Sequence, residues 1–507
     1  MRKFLMLVAI VGLALLVAVP AMALDFKFGA EYRVRFYDNV NFGSVGSGQP
    51  SLTLGKSDGA NSYRGAQVRI RPRFDVSDDN GNITATLRLE IGDTEFGNGG
   101  GAPGVTNGVF LAPGGNRVGN GAGGSIGSDG VNVETKWAYV DFASPFGIPL
   151  RWRAGLQPWY EFKGIVIDED LAGVRAYGKT GIVSYEAGWY RASAGTATSG
   201  ATCTAGYACM TNTRNNYDDN YDFYEAKLGA NIAKWLNPTV YFIYGDNRAT
   251  NTTALTGTDV TKPVSAYFIG ANFSGNPGPF SYDIDFVYGY ANGGPNGNYT
   301  AMGDSRVKTK GWTIDAGVHI PVGPVLFHVV GSYATGDKQN GGDSEAMPYI
   351  DPSWNGAGGL YEIVGSGGVF DAVENSQDYP AGLWMLGGGA EYRPVKALWL
   401  RAMYGFVGFT SKRANCAYSS SKVNGACFGP SYGGDGYVAP TVGAGVAVPN
   451  GQGIGGIAGK SYLGHEINLR ADYDLWTNFK IQANAGWLVP SEGDTMGEYV
   501  LQLLYNF

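Results

Sequence analysis

Hydrophobic and polar residues alternate one by one along much of the chain, beginning near residue 25. From Asp25 to Tyr37, the apolar side chains of Phe26, Phe28 and Val34 alternate with polar ones. A period of two residues predicts a β-strand with one apolar and one polar face. This pattern predicts eighteen strands, and sixteen is the alternative count because one weak pair is open to a second interpretation. The predicted strands are 25–37, 67–75, 83–91, 132–142, 150–157, 172–178, 182–191, 221–233, 239–246, 263–273, 280–291, 310–320, 325–335, 382–393, 397–409, 462–474, 478–488 and 497–507.

The connections between these strands are of two alternating kinds. Short connections include 143–149, 321–324, 393–396 and 475–478. Long ones, rich in Gly, Asn, Ser and Asp, run at about 38–62, 93–131, 192–220, 247–262, 336–381 and 410–461. Tight turns at one end and large loops at the other are typical of outer-membrane barrels, whose turns are periplasmic and whose loops are external.

Arginine indicates which face of the strands meets water. Eight arginines occupy the polar face of the predicted strands: Arg33, Arg35, Arg69, Arg71, Arg73, Arg88, Arg151 and Arg153. Burying so many like charges in a packed core would be costly, because too few acids accompany them. The apolar face carries many aromatic residues, such as Phe286 and Tyr288, and fits lipid better than water. The sequence therefore predicts an all-β, transmembrane antiparallel barrel.

Residues 1–23 have the pattern of a secretory signal peptide. Arg2 and Lys3 precede an apolar stretch, and Ala21-Met22-Ala23 is a small-x-small cleavage site. An uncleaved anchor is the alternative. Export through the periplasm would leave residues 24–507 as the barrel domain in the bacterial outer membrane.

Four cysteines agree with an oxidising compartment. Cys203 and Cys209 are close together in the sequence, as are Cys416 and Cys427. Four thiols allow three pairings, of which the two local ones are favoured. A metal site is the rival interpretation, but the spacings are not CxxC and no His is nearby. We therefore predict disulfides and no metal site.

Composition narrows the class of protein further. The 507 residues include 80 Gly and 32 Tyr, only 16% are charged, and the net charge is −7. This profile excludes disordered, collagen-like and nucleic-acid-binding chains. Beyond residue 23 no apolar stretch approaches the roughly 18 residues of a membrane helix. The predicted partners are outer-membrane lipid, lipopolysaccharide and small hydrophilic solutes, without a cofactor or nucleic acid.

Part of the chain resembles a known family. The matching stretches are Gln67-Val68-Arg69-Ile70-Arg71, Leu89-Glu90-Ile91-Gly92-Asp93-Thr94, Ala154-Gly155-Leu156-Gln157 and Asp168-Glu169-Asp170-Leu171-Ala172-Gly173-Val174. Over roughly the first third of the mature chain, the sequence resembles the outer-membrane homotrimeric porins of sulfate-reducing bacteria. The resemblance implies a general-porin-like, trimeric, water-filled diffusion pore.

The third predicted external loop runs from Gln157 to Leu171. In general porins this loop folds into the barrel, and its apolar content here favours packing against the barrel wall. Five of its charged residues are expected to form the constriction, with the acids facing the arginines. These are Glu161, Lys163, Asp168, Glu169 and Asp170. A solvated loop end or a weak Ca²⁺ site is the alternative for the three consecutive acids.

Catalysis has little support, since the chain has only three histidines and no recognisable catalytic motif. His319 and His328 are expected to form a polar pair near the periplasmic rim, and His465 falls on the lipid-facing register. The predicted function is passive diffusion through a porin and not an enzyme activity. The alternative is a surface receptor, adhesin or structural barrel with a plugged lumen, which the long loops 336–381 and 410–461 favour.

Overall fold

A computed structural model of the chain describes twelve segments. These are residues 24–44, 50–51, 61–96, 133–193, 221–247, 264–292, 308–336, 345–350, 353–365, 382–410, 461–491 and 494–507. Within them the protein is almost entirely β-strand, with three short 3₁₀ turns at Pro145–Gly147, Phe162–Gly164 and Ala357–Leu360. No helix of the described segments is long and apolar enough to cross a membrane.

The described strands are numbered in chain order. They are β1 (Leu24–Ser44), β2 (Pro50–Ser51), β3 (Asn61–Asp78), β4 (Ile83–Glu95), β5 (Val133–Ala143), β6 (Leu150–Tyr160), β7 (Asp168–Thr180), β8 (Val183–Ser193), β9 (Tyr221–Ala230), β10 (Asn237–Asn247), β11 (Val264–Gly275), β12 (Ser281–Asn292), β13 (Lys308–Val322), β14 (Val325–Ala334), β15 (Leu383–Val395), β16 (Leu398–Phe409), β17 (Tyr462–Trp476), β18 (Phe479–Pro490) and β19 (Met496–Asn506). The two-residue β2 pairs with the outer end of β1, and the other eighteen form the barrel.

The sheet closes on itself. Each barrel strand pairs antiparallel with its neighbours in the chain, and β1 pairs with both β3 and β19. The backbone N–H of Ala30 donates to the carbonyl of Phe507 at 2.9 Å across this closure. Closure satisfies the backbone groups that an open sheet edge would leave unpaired. The predicted all-β antiparallel barrel is confirmed, with eighteen strands and not the alternative sixteen.

The two faces of the barrel differ as the alternation predicts. On β19, Tyr499, Leu501 and Tyr505 are exposed on the exterior, whereas Glu498 and Gln502 are buried on the interior. An exterior row of tyrosines also runs across the outer ends of four adjacent strands, with ring centroids 5.1 to 6.1 Å apart: Tyr224, Tyr244, Tyr267 and Tyr290. Such an apolar exterior with interfacial aromatic rings is the surface that a lipid bilayer covers.

Short turns join the strands at one end of the barrel. Two examples are the turn after Asp78, where Gly81 has a positive φ, and the turn between Val322 and Val325. The connections at the other end lie largely outside the described segments. The predicted signal peptide 1–23 and all four cysteines, Cys203, Cys209, Cys416 and Cys427, also lie outside them and stay predictions.

Candidate functional site: the barrel interior

The eight predicted arginines share the interior face of β1, β3, β4 and β6, and we call this set the arginine wall. Strand register places Arg33 directly opposite Arg69, and Arg73 directly opposite Arg88. Like charges directly opposite each other destabilise a sheet. The wall therefore concentrates positive charge at a cost to the strands that carry it.

Four carboxylates lie among these eight guanidinium groups: Glu31, Asp75, Glu90 and Asp141. Asp141 accepts hydrogen bonds from Arg151 at 2.7 Å and from Arg153 at 2.8 Å. Arg69 lies 3.3 Å from Glu31, and Arg71 bonds to Glu90. The strands of the wall thus bring eight arginines and these four acids together, and Arg33, Arg35 and Arg69 make further contacts besides these pairs.

Aromatic rings support part of the wall. The guanidinium of Arg88 lies 4.4 Å from the ring centroid of Trp137, a cation–π arrangement. The indole N–H of Trp137 donates to Asp170 at 2.8 Å, and Lys136 lies 3.7 Å from the same carboxylate. Of the acids predicted for the third loop, Asp170 therefore lies near the arginines, because Asp170 and Arg88 contact the same tryptophan.

The third connection is shorter than the sequence predicts. β6 continues to Tyr160 and β7 begins at Asp168, because Pro158 pairs with Asp170 and Tyr160 pairs with Asp168. Asp168, Glu169 and Asp170 therefore lie on β7 and not in a loop. The remaining connection, residues 161–167, is called L3 below.

L3 reverses direction through a strained backbone. Phe162, Lys163 and Gly164 have φ values of 20°, 57° and 67°, and only the last is glycine. A non-glycine residue at positive φ is costly, so surrounding contacts must hold it. A side chain at Gly164 would also collide with the hydroxyl of Ser353.

Apolar contacts supply part of that hold. Ile165, Val166 and Ile167 are fully buried in one hydrophobic cluster with residues of the interior face. The barrel strands β8 to β12 contribute to this cluster Tyr190, Phe223, Tyr241, Ile243, Phe268 and Val287. Burying each aliphatic side chain contributes roughly 1.5–3 kcal/mol. Trp159 stacks on Tyr190 with ring centroids 4.4 Å apart and extends the cluster along β6.

Lys163 is held by three carboxylates on two strands. Its Nζ bonds to Asp283 and lies 2.8 Å from Asp285, both on β12, and 2.9 Å from Asp315 on β13. Burial lowers the pKa of Lys163, but Asp315, Asp285 and Asp283 outweigh it and raise the pKa overall. The ammonium therefore stays charged inside the barrel and neutralises part of this acidic cage.

Glu161 makes the complementary contact two residues earlier. Lys227 on β9 donates to Glu161 and lies 3.4 Å from Glu225, which accepts from the indole of Trp159 at 2.9 Å. Burial raises the pKa of Glu161, the nearby Glu225 raises it further, and Lys227 opposes the rise. L3 thus presents Glu161 to Lys227, and Lys163 to three carboxylates of the barrel strands.

A second segment, residues 353–365 between β14 and β15, also lies inside the barrel, and we call it the strap. At one end, the indole of Trp354 donates to Asp315 at 2.9 Å. At the other, the backbone N–H groups of Ile363 and Val364 donate to Glu466 on β17 at 2.7 and 2.8 Å. Sequence reasoning missed the strap, although Trp354, Tyr361 and Ile363 are a similar apolar signal in a Gly-rich loop.

L3 and the strap touch each other. The backbone N–H of Ser353 donates to the carbonyl of Gly164 at 2.9 Å, and that of Ile350 donates to Val166 at 3.0 Å. The Ser353 hydroxyl donates to Asp168 at 2.6 Å. The two connections therefore form one continuous layer, and Asp168 belongs to this layer.

The histidines occupy the predicted faces. His319 and His328 lie on the interior, and His465 lies on the exterior, 3.4 Å from the hydroxyl of Tyr462. Asp315, which shares a strand face with His319, bonds to Lys163 and Trp354. His319 pairs instead with Asp283 at 3.0 Å.

The structure is similar to solved structures from Pseudomonas aeruginosa and Acinetobacter baumannii. OccK9 (OpdG) of Pseudomonas aeruginosa has a TM-score of 0.50 at 9% identity, covering 95% of this chain and 98% of that chain. The outer membrane protein opdK of Pseudomonas aeruginosa has a TM-score of 0.49 at 9% identity with the same coverage. OccAB4 of Acinetobacter baumannii has a TM-score of 0.48 at 9% identity and covers 96% and 99% of the two chains.

No protein-family model and no curated protein matches the chain. At 9% identity, the similarity to OccK9 is a similarity of fold. The closed eighteen-stranded barrel with an apolar exterior defines the class: a transmembrane β-barrel of the bacterial outer membrane.

Proposed function

We propose that the chain is a porin that lets small hydrophilic solutes diffuse across the outer membrane, with a preference for anions. The observation that carries the proposal is the arginine wall, which places eight guanidinium groups on the interior face of β1, β3, β4 and β6. A positive wall in a water-filled pore raises the local concentration of anions. The similarity of fold to OccK9 is compatible with this role.

In this proposal L3 and the strap narrow the pore, and the passage runs between them and the arginine wall. Their burial against the interior face of β8–β17 supports this role. Asp168 is engaged by Ser353 and Asp170 by Trp137. These donors favour a structural role for the two acids over the alternative of a Ca²⁺ site.

Trimer formation belongs to the same proposal and rests on the resemblance to homotrimeric porins. The apolar exterior would contact lipid, lipopolysaccharide and neighbouring subunits. Native electrophoresis of unheated protein, with cross-linking, tests it: we expect a trimer that separates into monomers on boiling. A monomer at every detergent concentration would contradict this part alone.

A surface receptor or plugged barrel is the second candidate, because L3 and the strap occupy part of the interior. Conductance separates the two. Purified protein in a planar bilayer should form stable ion-conducting channels if the chain is a porin. Absence of conductance from correctly folded protein would favour the plugged barrel.

The reversal potential in a KCl gradient tests the anion preference. The unaltered protein should favour Cl⁻, and replacing Arg69, Arg71 and Arg73 together by Gln should shift the permeability ratio toward K⁺. The shift should be larger at low salt, where charges are screened less. Arg64→Gln is the matched control, because Arg64 lies on the same strand with its side chain 76% exposed. An unchanged reversal potential at both salt concentrations would contradict the proposal.

A further inference from the structure

Two histidines face each other on the interior wall, away from L3's apolar cluster. His319 on β13 and His328 on β14 are direct cross-strand partners. Their Nδ1 atoms lie 2.7 Å apart, with ring centroids separated by 4.9 Å and planes inclined at 72°. Diffusion of solutes through a pore does not require such a pair of histidines.

The outer nitrogen of each ring faces a carboxylate. His319 Nε2 lies 3.0 Å from Asp283, and His328 Nε2 lies 3.3 Å from Glu391 on β15. Asp283 accepts a hydrogen bond and therefore favours the His319 tautomer that carries its proton on Nε2, whereas the buried His328 Nε2 makes no hydrogen bond and has Glu391 as its nearest charged neighbour. When both rings adopt this tautomer, both Nδ1 lone pairs point into the same 2.7 Å gap. Two lone pairs at this distance repel unless a proton or a metal cation lies between them.

We propose that His319 and His328 form a binding site for one divalent transition-metal ion, such as Zn²⁺, Ni²⁺ or Cu²⁺, with both Nδ1 atoms as ligands. Neutral imidazole is a preferred ligand for these metals. Asp283 and Glu391 occupy the outer positions that carboxylates commonly take behind metal-bound histidines, where they orient the ring and raise its basicity.

The site needs only a small adjustment to accept an ion. Zinc–nitrogen distances are about 2.0–2.1 Å, so two ligands of a tetrahedral ion are roughly 3.3 Å apart. The Nδ1 atoms therefore need to separate by about 0.6 Å, which side-chain rotation can supply. The side chain of His319 is 25% exposed, so the ion can complete its coordination with water from the barrel interior.

The position of the site connects it to L3. Asp283 contacts both His319 and Lys163. An ion on the His pair adds positive charge beside a carboxylate that already holds the ammonium of L3. Metal occupancy should therefore weaken the contact between Lys163 and Asp283, while Asp285 and Asp315 continue to hold Lys163.

Metal titration of the full-length folded protein tests the inference. The protein is purified without a polyhistidine tag and its thiols are alkylated, so that neither cysteines nor a tag binds the metal. We expect one Cu²⁺ or Zn²⁺ per chain by calorimetry, and a Cu²⁺ electron paramagnetic resonance spectrum that shows coupling to imidazole nitrogen. His319→Gln and His328→Gln should each weaken binding by at least about tenfold.

The third histidine of the chain provides the matched control. His465→Gln removes an imidazole from the exterior face and should leave affinity and stoichiometry unchanged. Glu391→Gln keeps both ligands but removes an orienting carboxylate, and should weaken binding by about 10- to 100-fold. Slower migration after boiling confirms that each variant was folded.

Three results would overturn the inference. The first is absence of binding by the unaltered protein up to about 1 mM metal. The second is equal affinity in the folded double variant His319→Gln/His328→Gln. The third is a Cu²⁺ spectrum without nitrogen coupling, which needs no variant and therefore does not depend on how the variants fold.

Discussion

Two parts of the interior surface balance their charges in different ways. The arginine wall is carried by neighbouring strands, and the carboxylates among its arginines come from the same group of strands. The cage of Asp283, Asp285 and Asp315 is instead neutralised in part by Lys163, which belongs to L3. The difference is that a loop residue neutralises part of the acidic cage, whereas the ion pairs described for the arginine wall join residues of neighbouring strands.

The two arrangements have different energetic consequences. Removing one partner of a buried ion pair costs about 3–5 kcal/mol, because a buried charge is left uncompensated. Exposed pairs contribute about 0–1 kcal/mol. In the acidic cage the side chains of Asp285 and Asp315 are 1% exposed, so we expect it to be sensitive to single substitutions. In the arginine wall, Arg73 at 46% and Arg151 at 35% are exposed enough that their replacement should change the electrostatic potential more than the stability.

The largest expected effect comes from removing the central cation of the cage. Lys163→Met leaves three close carboxylates without their ammonium and should destabilise the closed position of L3 by about 3 kcal/mol. Hydrogen exchange of residues 161–167, followed by mass spectrometry, should then be at least tenfold faster. Single channels should also become noisier.

The matched control is Lys179→Met, which removes an exposed lysine at the turn end of β7. Adding Asp283→Asn and Asp285→Asn to Lys163→Met should restore much of the protection, because the repulsion is relieved. Unchanged exchange in Lys163→Met would show that apolar packing alone holds L3.

The strap offers the next largest effect. Glu466 accepts hydrogen bonds from the backbone N–H groups of Ile363 and Val364, so Glu466→Ala leaves two buried donors without an acceptor. Each unsatisfied group costs about 1–3 kcal/mol. Proteolysis within 353–365 should become faster than in Glu498→Ala, which removes an interior carboxylate that bonds to Asn39. Equal rates in the two variants would show that Glu466 does not fix the strap.

Two arginines of the arginine wall, Arg151 and Arg88, have different kinds of partner. Arg151 donates to Asp141, whereas Arg88 stacks on Trp137 and forms no ion pair with the described carboxylates. Arg88→Gln should therefore reduce the Cl⁻ over K⁺ permeability ratio more than Arg151→Gln does, by about twofold at low salt. Reversal potentials measure this, and the opposite ranking would place the selective part of the passage near Arg151.

The smallest expected effect is on pH dependence. Burial raises the pKa of Glu161 above the ordinary range of a glutamate. The closed position of L3 therefore favours the protonated form of this side chain. The stabilisation is fully present below the ordinary glutamate pKa and is lost as pH rises through the raised value. Exchange of residues 161–167 should therefore increase modestly with pH over that window. Glu161→Gln should flatten the profile and Glu169→Gln should not; identical profiles would refute the assignment.

The strands were predictable because their signal is local. Alternation of side chains is a property of each stretch of about ten residues, and all eighteen predicted strands match barrel strands. The shared face of Arg69, Arg71 and Arg73 follows from the same period. The apolar content of residues 165–167 also indicated that this connection packs against other residues.

The partners of the loop residues were not predictable in the same way. Lys163 and Asp315 are 152 residues apart in the sequence, and Trp354 reaches the same carboxylate from a third element. Such contacts depend on the register of β12 and β13 and on the path of two loops through the interior. Likewise, the ends of L3 depend on pairing between Tyr160 and Asp168, which no local pattern specifies.

The closure between β1 and β19 constrains the order of folding. Arg35 and Gln502, which bond across this seam, are 467 residues apart in the chain. One edge of β1 pairs with β3, which is close in the chain. The other edge pairs with β19, the last strand of the chain. An unpaired strand edge is a template for association with other chains, and contacts between distant residues form slowly. We therefore expect the seam to form last, and until then the two edges of the open sheet are exposed to pairing with other chains.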